Sequence, residues 1–384
     1  MARGDVFESE GEEYRDQETG ALVRRLTGDG SHNHHLYFTS TSFVGDTEGV
    51  VFASDRSGAA QLYMLELASG RIVQLTDSRG AGGFGACLDP QGRLFYFDGP
   101  TLKVLSLDVL DERELYRVPD GMRAALPTCT GNGDYVAFAY REDLPVSTET
   151  GRIYSTMAER YFQRPTCVIM RVDTETGEAV AAWGERAWIS HVIIHPQRPD
   201  LILFCHEGGS LVAQRMWTVD LSVRLGRTAR PLFRQEHGES CCHEYFTQQG
   251  EVGFQCSVRS EGEDLGFNCF VRPDGTYLRQ FLLPGPRPGH IQSNSDNTLV
   301  VGDRAHQSPE DEAGGAYMSL ITHSNGRGEV RRLCRHGTSW QTQMSHPHPI
   351  FSPDDRWALF TSDAGGHCNL YMADVTSLPE GGPK

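Results

Sequence analysis

Histidines at alternate spacing are the first residues in this sequence suited to chemistry. His346-Pro347-His348 follows Gln343, and in an extended chain alternate side chains share a face, so both imidazoles point the same way. Pro347 keeps the segment out of a helix interior. Two imidazoles with an amide oxygen nearby make a partial site for Mn²⁺, Fe²⁺ or Zn²⁺; the plainer reading is two polar residues lining a channel. Two more tracts, Glu239-Ser-Cys-Cys-His243-Glu244-Tyr245 and Gly285-Pro-Arg287-Pro-Gly289-His290, also stand just before runs with strand character. Arg215, in Gln214-Arg215-Met216-Trp217, is a lone cation among apolar neighbours, which suits either a structural ion pair or an anion contact. His34 and His191 also precede strands, and with His206 they are candidates for substrate contact. His32 and His35 read as polar loop, and His323, His336 and His367 as surface or packing residues.

The elements that must position these groups are strands. Most of the 42 glycines sit in turn clusters between runs of four to seven residues rich in Val, Ile, Leu, Phe and Tyr, and helical periodicity is nearly absent, so the fold class is all-β. One hairpin is used twice. Phe52 to Met64 and Phe360 to Met372 both read F-x-S-D-x-x-G-x-x-x-L-Y-M. Fainter copies open at Asp89, Gly131, His195, Gln249 and Ser295, which makes about seven units at the roughly 40 to 65 residue spacing of four-stranded propeller blades. The last unit stops after Leu370 to Val375 without an outer strand, and Thr19 to Thr27 supplies one at the other end. The expectation is a single domain over 1–384: a seven-bladed β-propeller closed by an N-terminal strand that completes the last blade, with a flexible segment over 1–13 and a tail over 376–384. On that plan the inner strands converge on one axis, and His243, His290 and His346/His348 reach it at equivalent heights.

Composition limits the partners. With 35 Lys+Arg against 51 Asp+Glu the net charge is −16, which argues against nucleic acid and against an anionic membrane surface. The start of the chain has no apolar stretch of a secretory signal, and no run approaches the roughly 20 apolar residues of a membrane helix. The ten cysteines are scattered, without a CxxC knuckle or a disulfide framework. Reduced thiols in a cytoplasmic protein are expected; oligomeric state is left open.

Taken together, Phe204-Cys-His206-Glu-Gly208, Arg215-Met-Trp217, Glu239-Ser-Cys-Cys-His243-Glu-Tyr-Phe246, His290 before Ser293-Asn294, His336-Gly-Thr-Ser-Trp340 and Gln343-Met-Ser-His346-Pro-His348 resemble the oligogalacturonate lyases, seven-bladed propeller enzymes of pectin breakdown. The resemblance runs in order from about Tyr14 to Val375. It implies that His290, His346, His348 and Gln343 bind Mn²⁺, that His243 is the base, and that Arg215 assists. Cys242 stands where that family usually has a hydroxyl, the His32 to His35 loop differs, and the Gly208 to Gln214 connection is shorter.

The chemistry implied is β-elimination from short α-1,4-galacturonides, giving a 4-deoxy-5-keto-uronate, with a small anionic oligosaccharide as partner. Two rival readings are a non-catalytic TolB-like propeller scaffold and a lyase for another uronate oligosaccharide. A propeller attached to a serine peptidase is disfavoured, because no G-x-S-x-G elbow or α/β domain follows the last unit.

Overall fold

The duplicated hairpin appears twice in the computed structural model, which describes residues 2–28, 30–147, 155–260, 262–284, 287–303 and 316–378. Gly49–Ser54 pairs antiparallel with Gln61–Glu66, and Trp357–Ser362 pairs in the same way with Asn369–Asp374. Each strand of the two hairpins is buried along almost its whole length. That is why they read as apolar runs rather than as strict alternations.

Each hairpin belongs to a four-stranded antiparallel meander, and the chain repeats the unit in order. Asn33–His35, Gly49–Ser54, Gln61–Glu66 and Ile72–Gln74 make the first; Ala86–Leu88, Arg93–Asp98, Thr101–Ser106 and Glu112–Arg117 the next. Met122–Cys129, Tyr135–Glu142, Thr166–Asp173 and Ala179–Arg186 follow, then Ile189–Ile194, Leu201–His206, Met216–Asp220 and Arg230–Pro231. Two further meanders, Glu239–Phe246 to Arg279–Leu282 and Ile291–Ser293 to Arg327–Arg335, are joined by one parallel pairing of Leu282 with Arg327. The last contains Ile350–Phe351, Trp357–Ser362 and Asn369–Asp374, and its fourth strand is Leu22–Arg25, with Val23 opposite Ala373. The core lies between successive sheets: Phe95 and Leu102 of one meet Val136, Phe138 and Val172 of the next. Each such fully buried large side chain contributes about 1.5–3 kcal/mol.

Two expectations are corrected. Within 1–13, Val6–Phe7 pairs with Ile72 and Val73, and Glu12–Arg15 pairs with Leu22–Arg25, so the segment carries strands. Arg56 explains the attachment: its side chain, 2% exposed, pairs with Glu10 and lies over the rings of Phe7, Phe52 and Tyr63. The loop expected at His32 to His35 is instead the buried strand Asn33–His35. The tail beyond residue 378 and the Gly285-Pro286 pair lie outside the described residues. The α-helix of the described residues, Met157–Gln163, sits in the connection between two strands. No helix among them is long and apolar enough to cross a membrane. All ten cysteines are free thiols.

Candidate active site

Inner strands deliver the histidines through a repeated backbone irregularity. Met122–Cys129, Ile189–Ile194 and Glu239–Phe246 each shift register by an extra residue, at Ala125/Thr128, Ser190/Ile193 and Cys242/Tyr245. The residue opening each bulge has left-handed backbone: Leu126 (φ 51°), His191 (φ 43°) and His243 (φ 56°). His348 (φ 47°) adopts the same conformation just before Ile350–Phe351. A bulge re-aims a side chain out of the pleat, and holding a bulky residue at positive φ costs about 1–3 kcal/mol. That strain persists because the packed sheets on either side leave no alternative path.

His290, His346 and His348 come together as expected. All three are buried, and one ligating atom from each lies within 4.8 Å of the others. The Gln343 amide is 3.3 Å from His348 Nε2. It is held by a 3-10 turn, Gln343–Ser345, whose cap is closed by reciprocal hydrogen bonds between Thr342 and Ser345. Trp340 walls the cluster, 4.6 Å from the His346 ring and stacked at 6.2 Å on His290. His243 is next in line, its ring centroid 4.3 Å from that of His290.

Asp303, which the sequence did not single out, orients the cluster. Its buried carboxylate accepts the His290 Nδ1–H at 2.8 Å, the His290 backbone N–H, and the His348 backbone N–H at 3.3 Å. This fixes His290 with its lone pair on Nε2, the tautomer a metal ligand needs. Gly289 makes the approach possible, since a Cβ there would sit 2.7 Å from Asp303 Oδ1. His290 Nε2 and His346 Nδ1 are buried and have no hydrogen-bond partner among the described residues. Orphaned acceptors at close range in a buried pocket are costly unless something occupies the space between them, and nitrogen donors with an amide oxygen suit a divalent cation. The residues fit a metal.

Burial lowers His243, His290, His346 and His348. His346 is pushed down to about 3, and His290 and His348 fall well below the usual range, first through burial and then through repulsion from neighbouring imidazoles. His243 is lowered to about 4 by burial, helped by Arg215, Arg287 and His191. Its Nδ1 lies 3.5 Å from Gln255 Oε1, a long contact that favours Nδ1–H and leaves Nε2 as acceptor.

Arg215 is clamped by two carboxylates. Nε and Nη2 donate to Glu244 at 3.0 and 3.3 Å, and Nη1 and Nη2 donate to Glu207 at 3.3 Å each. Burial alone would raise Glu244, which is 0% exposed, but Arg215 and His191 hold it well below the usual carboxylate range. His191 donates Nδ1–H to Glu244 at 2.9 Å and accepts from the Tyr37 hydroxyl at 2.9 Å. His191 therefore lines the cavity beside the cluster, as Tyr37 also does. His34 and His206 do not line it. His34 is buried with its ring against Phe84 at 4.9 Å and its Nδ1 on the His35 carbonyl. His206 pairs with Glu185 at 2.9 Å and packs on Trp217. His336 is buried packing, its Nδ1 accepting the Thr338 N–H. Glu207 and Glu244 each directly follow a histidine the sequence flagged, and that adjacency was the available signal; Asp303 showed only as a charge ending an apolar run.

The cavity over His243 and His290 measures about 690 Å³, within the range of small-molecule sites. A second cavity of about 690 Å³ adjoins it, sharing Gly209, Arg215, Ser240, Cys241 and Arg287 at the boundary.

The family model described as oligogalacturonate lyase matches residues 1–379. The chain is 31% identical to the oligogalacturonide lyase of Pectobacterium atrosepticum and 32% identical to the oligogalacturonate lyase of Dickeya dadantii, in each case over 98% of both chains. Its structure superposes on a solved oligogalacturonate lyase in complex with manganese with a TM-score of 0.87 at 31% identity, covering 99% of each chain. With the histidine cluster, the motifs and the full-length match in agreement, the chain belongs to the oligogalacturonate lyase family.

Proposed function

We propose that this protein cleaves short α-1,4-galacturonides by β-elimination, with Mn²⁺ held by His290, His346, His348 and Gln343. The observation that carries the reading is three buried histidines with ligating atoms within 4.8 Å of one another, with His290 Nε2 and His346 Nδ1 unpartnered among the described residues and the His243 ring 4.3 Å from that of His290. A divalent cation at this cluster supplies Lewis-acid polarisation of the uronate carboxylate, which makes the adjacent C5 proton more acidic. His243 Nε2 takes that proton. Burial and the cationic charge of Arg215 and Arg287 keep His243 unprotonated at neutral pH, while an arriving anionic sugar opposes that depression and restores basicity where the proton must be held. As the C5–H bond breaks, a C4–C5 double bond forms and the C4–O bond opens. The products are a shortened saccharide and an unsaturated uronate that rearranges to the 4-deoxy-5-keto form.

Arg215 serves this reaction as a positioning residue. Clamped by Glu207 and Glu244, it secures the strands that carry His191 and His243. The meanders fit a seven-bladed propeller closed where Leu22–Arg25 meets Asn369–Asp374, with the cavity at its axis. Free thiols throughout suit a reducing cytoplasm. Incubation with digalacturonate, trigalacturonate and an unrelated uronate disaccharide, with products identified by mass, tests the substrate class. Cleavage of galacturonides alone is expected. Equal or preferential cleavage of the other uronide would assign the chain to a different uronate.

A further inference from the structure

With Arg215 clamped by two carboxylates, a further cation is needed to meet the negative charge of the sugar away from the histidine cluster. Arg215, Glu207 and Glu244 together carry one net negative charge, so this trio repels a uronate rather than attracting it. Arg287 is the cation left at the boundary of the two cavities. Among the described residues it forms no ion pair with a carboxylate; its polar contact is Nη1 with the Cys242 sulfur. A thiol is a weak acceptor, so the guanidinium retains its bidentate face for a better one. The chain is shaped to seat it: a Cβ at Gly266 would lie 3.0 Å from Arg287 Cβ and 3.1 Å from its backbone nitrogen. A side chain at 266 would crowd the Arg287 backbone and shift it by a few tenths of an ångström.

The second cavity offers a longer substrate a place to continue. A saccharide whose reacting unit lies over His243 and His290 can extend into it past the shared walls, and Arg287 stands on that path. The acidic residues on the outer wall are already engaged: Glu236 pairs with Arg234, and Glu239 accepts the Glu236 backbone N–H at 2.8 Å.

We propose that Arg287, rather than Arg215, binds the carboxylate of the uronate unit that leaves, making the adjoining cavity a second acid-reading subsite. The proposal rests on the galacturonide reading above. Guanidinium and carboxylate match as a two-point pair, and such a contact gives discrimination against a neutral unit.

The test uses metal-loaded enzyme and two disaccharides: digalacturonate, and digalacturonate methyl-esterified on the leaving unit alone. For the native protein the ester should show a KM about tenfold to hundredfold higher, the range expected for losing charged hydrogen bonds. Arg287→Gln should raise KM for the free acid to the level of the ester, make the two substrates equal, and leave bound metal nearly unchanged. Arg287→Lys, which keeps the charge but loses the fork, should restore part of the preference. A merely structural role would lower kcat and metal content with both substrates alike, and that pattern overturns the proposal. So does a native protein that treats acid and ester equally, or an Arg287→Gln variant with native KM. A native protein that cleaves neither substrate overturns the galacturonide reading itself, a failure visible before any variant is made.

Discussion

Replacing Asp303 by Asn is the change whose consequences follow most directly from the geometry. The carboxylate accepts three N–H groups, two from His290 and one from His348. Asparagine has the same shape but only one oxygen. If its NH₂ turns toward the His290 backbone, two donors face each other and that hydrogen bond is lost. If it turns toward His290 Nδ1, the imidazole must accept there and move its proton to Nε2, which removes the lone pair aimed at the cluster. Either arrangement forfeits a buried charge-assisted hydrogen bond, about 1.5–3 kcal/mol of stability. The second also disables one of three ring ligands, and loss of an orienting carboxylate typically lowers metal affinity about 10–100-fold, or roughly 1.4–2.7 kcal/mol. Titrating metal-free native and Asp303→Asn protein with Mn²⁺, following free Mn²⁺ by electron paramagnetic resonance, measures the difference, with urea unfolding as the parallel readout. An Asp303→Asn variant that binds Mn²⁺ as tightly as the native protein would refute the tautomer argument.

Other predictions concern the groups around this centre. His346→Ala and Gln343→Ala should both lose bound metal, His346→Ala the more, because it removes a ring nitrogen with no other partner; metal analysis after dialysis reads the order. Glu244→Gln should destabilise the fold by about 3 kcal/mol, since it leaves the buried Arg215 short of one charge; native-level resistance to urea would show that Glu207 alone satisfies it. Acid should loosen the protein through His195, whose Nδ1 accepts the N–H groups of Gln197 and Arg198 at 3.1 and 3.2 Å and which burial, with Arg198 nearby, lowers to about 4. The unfolded chain takes up that proton near pH 6.5 and the folded one only near 4. The contribution is therefore intact above pH 6.5 and lost as pH falls toward 4, by roughly 2–3 kcal/mol. His195→Gln should flatten the stability profile in that window, and an unchanged slope would count against the assignment.

Much of this architecture is legible in the residues because repetition is a sequence property. The twin hairpins at Phe52 and Phe360 could be matched letter by letter, and the missing outer strand after Val375 pointed to Leu22–Arg25. The histidine cluster was legible for a related reason: His243, His290 and His346 each stand before a strand, and equivalent places in a repeat converge. What stayed hidden depends on geometry that residue type does not encode. Nothing in Leu126, His191, His243 or His348 announces left-handed backbone, a conformation usually reserved for glycine and asparagine. The clamp on Arg215 joins strands from different meanders, so its two glutamates could be seen in the flagged tracts but not paired with it. The acidic stretch near Glu10 looked flexible because its partner, Arg56, is 46 residues away.

The central claim is that a histidine-bound divalent metal and His243 together eliminate across C4–C5 of a galacturonide. Its most direct test is the rate of keto-deoxyuronate release from digalacturonate by native protein, by native protein with chelator, and by His243→Ala reloaded with Mn²⁺. The account predicts product from the first, loss of product with chelator and its return on adding Mn²⁺, and a rate at least about 100-fold lower in His243→Ala at unchanged metal content. Full activity in His243→Ala, or activity indifferent to chelator, would contradict it.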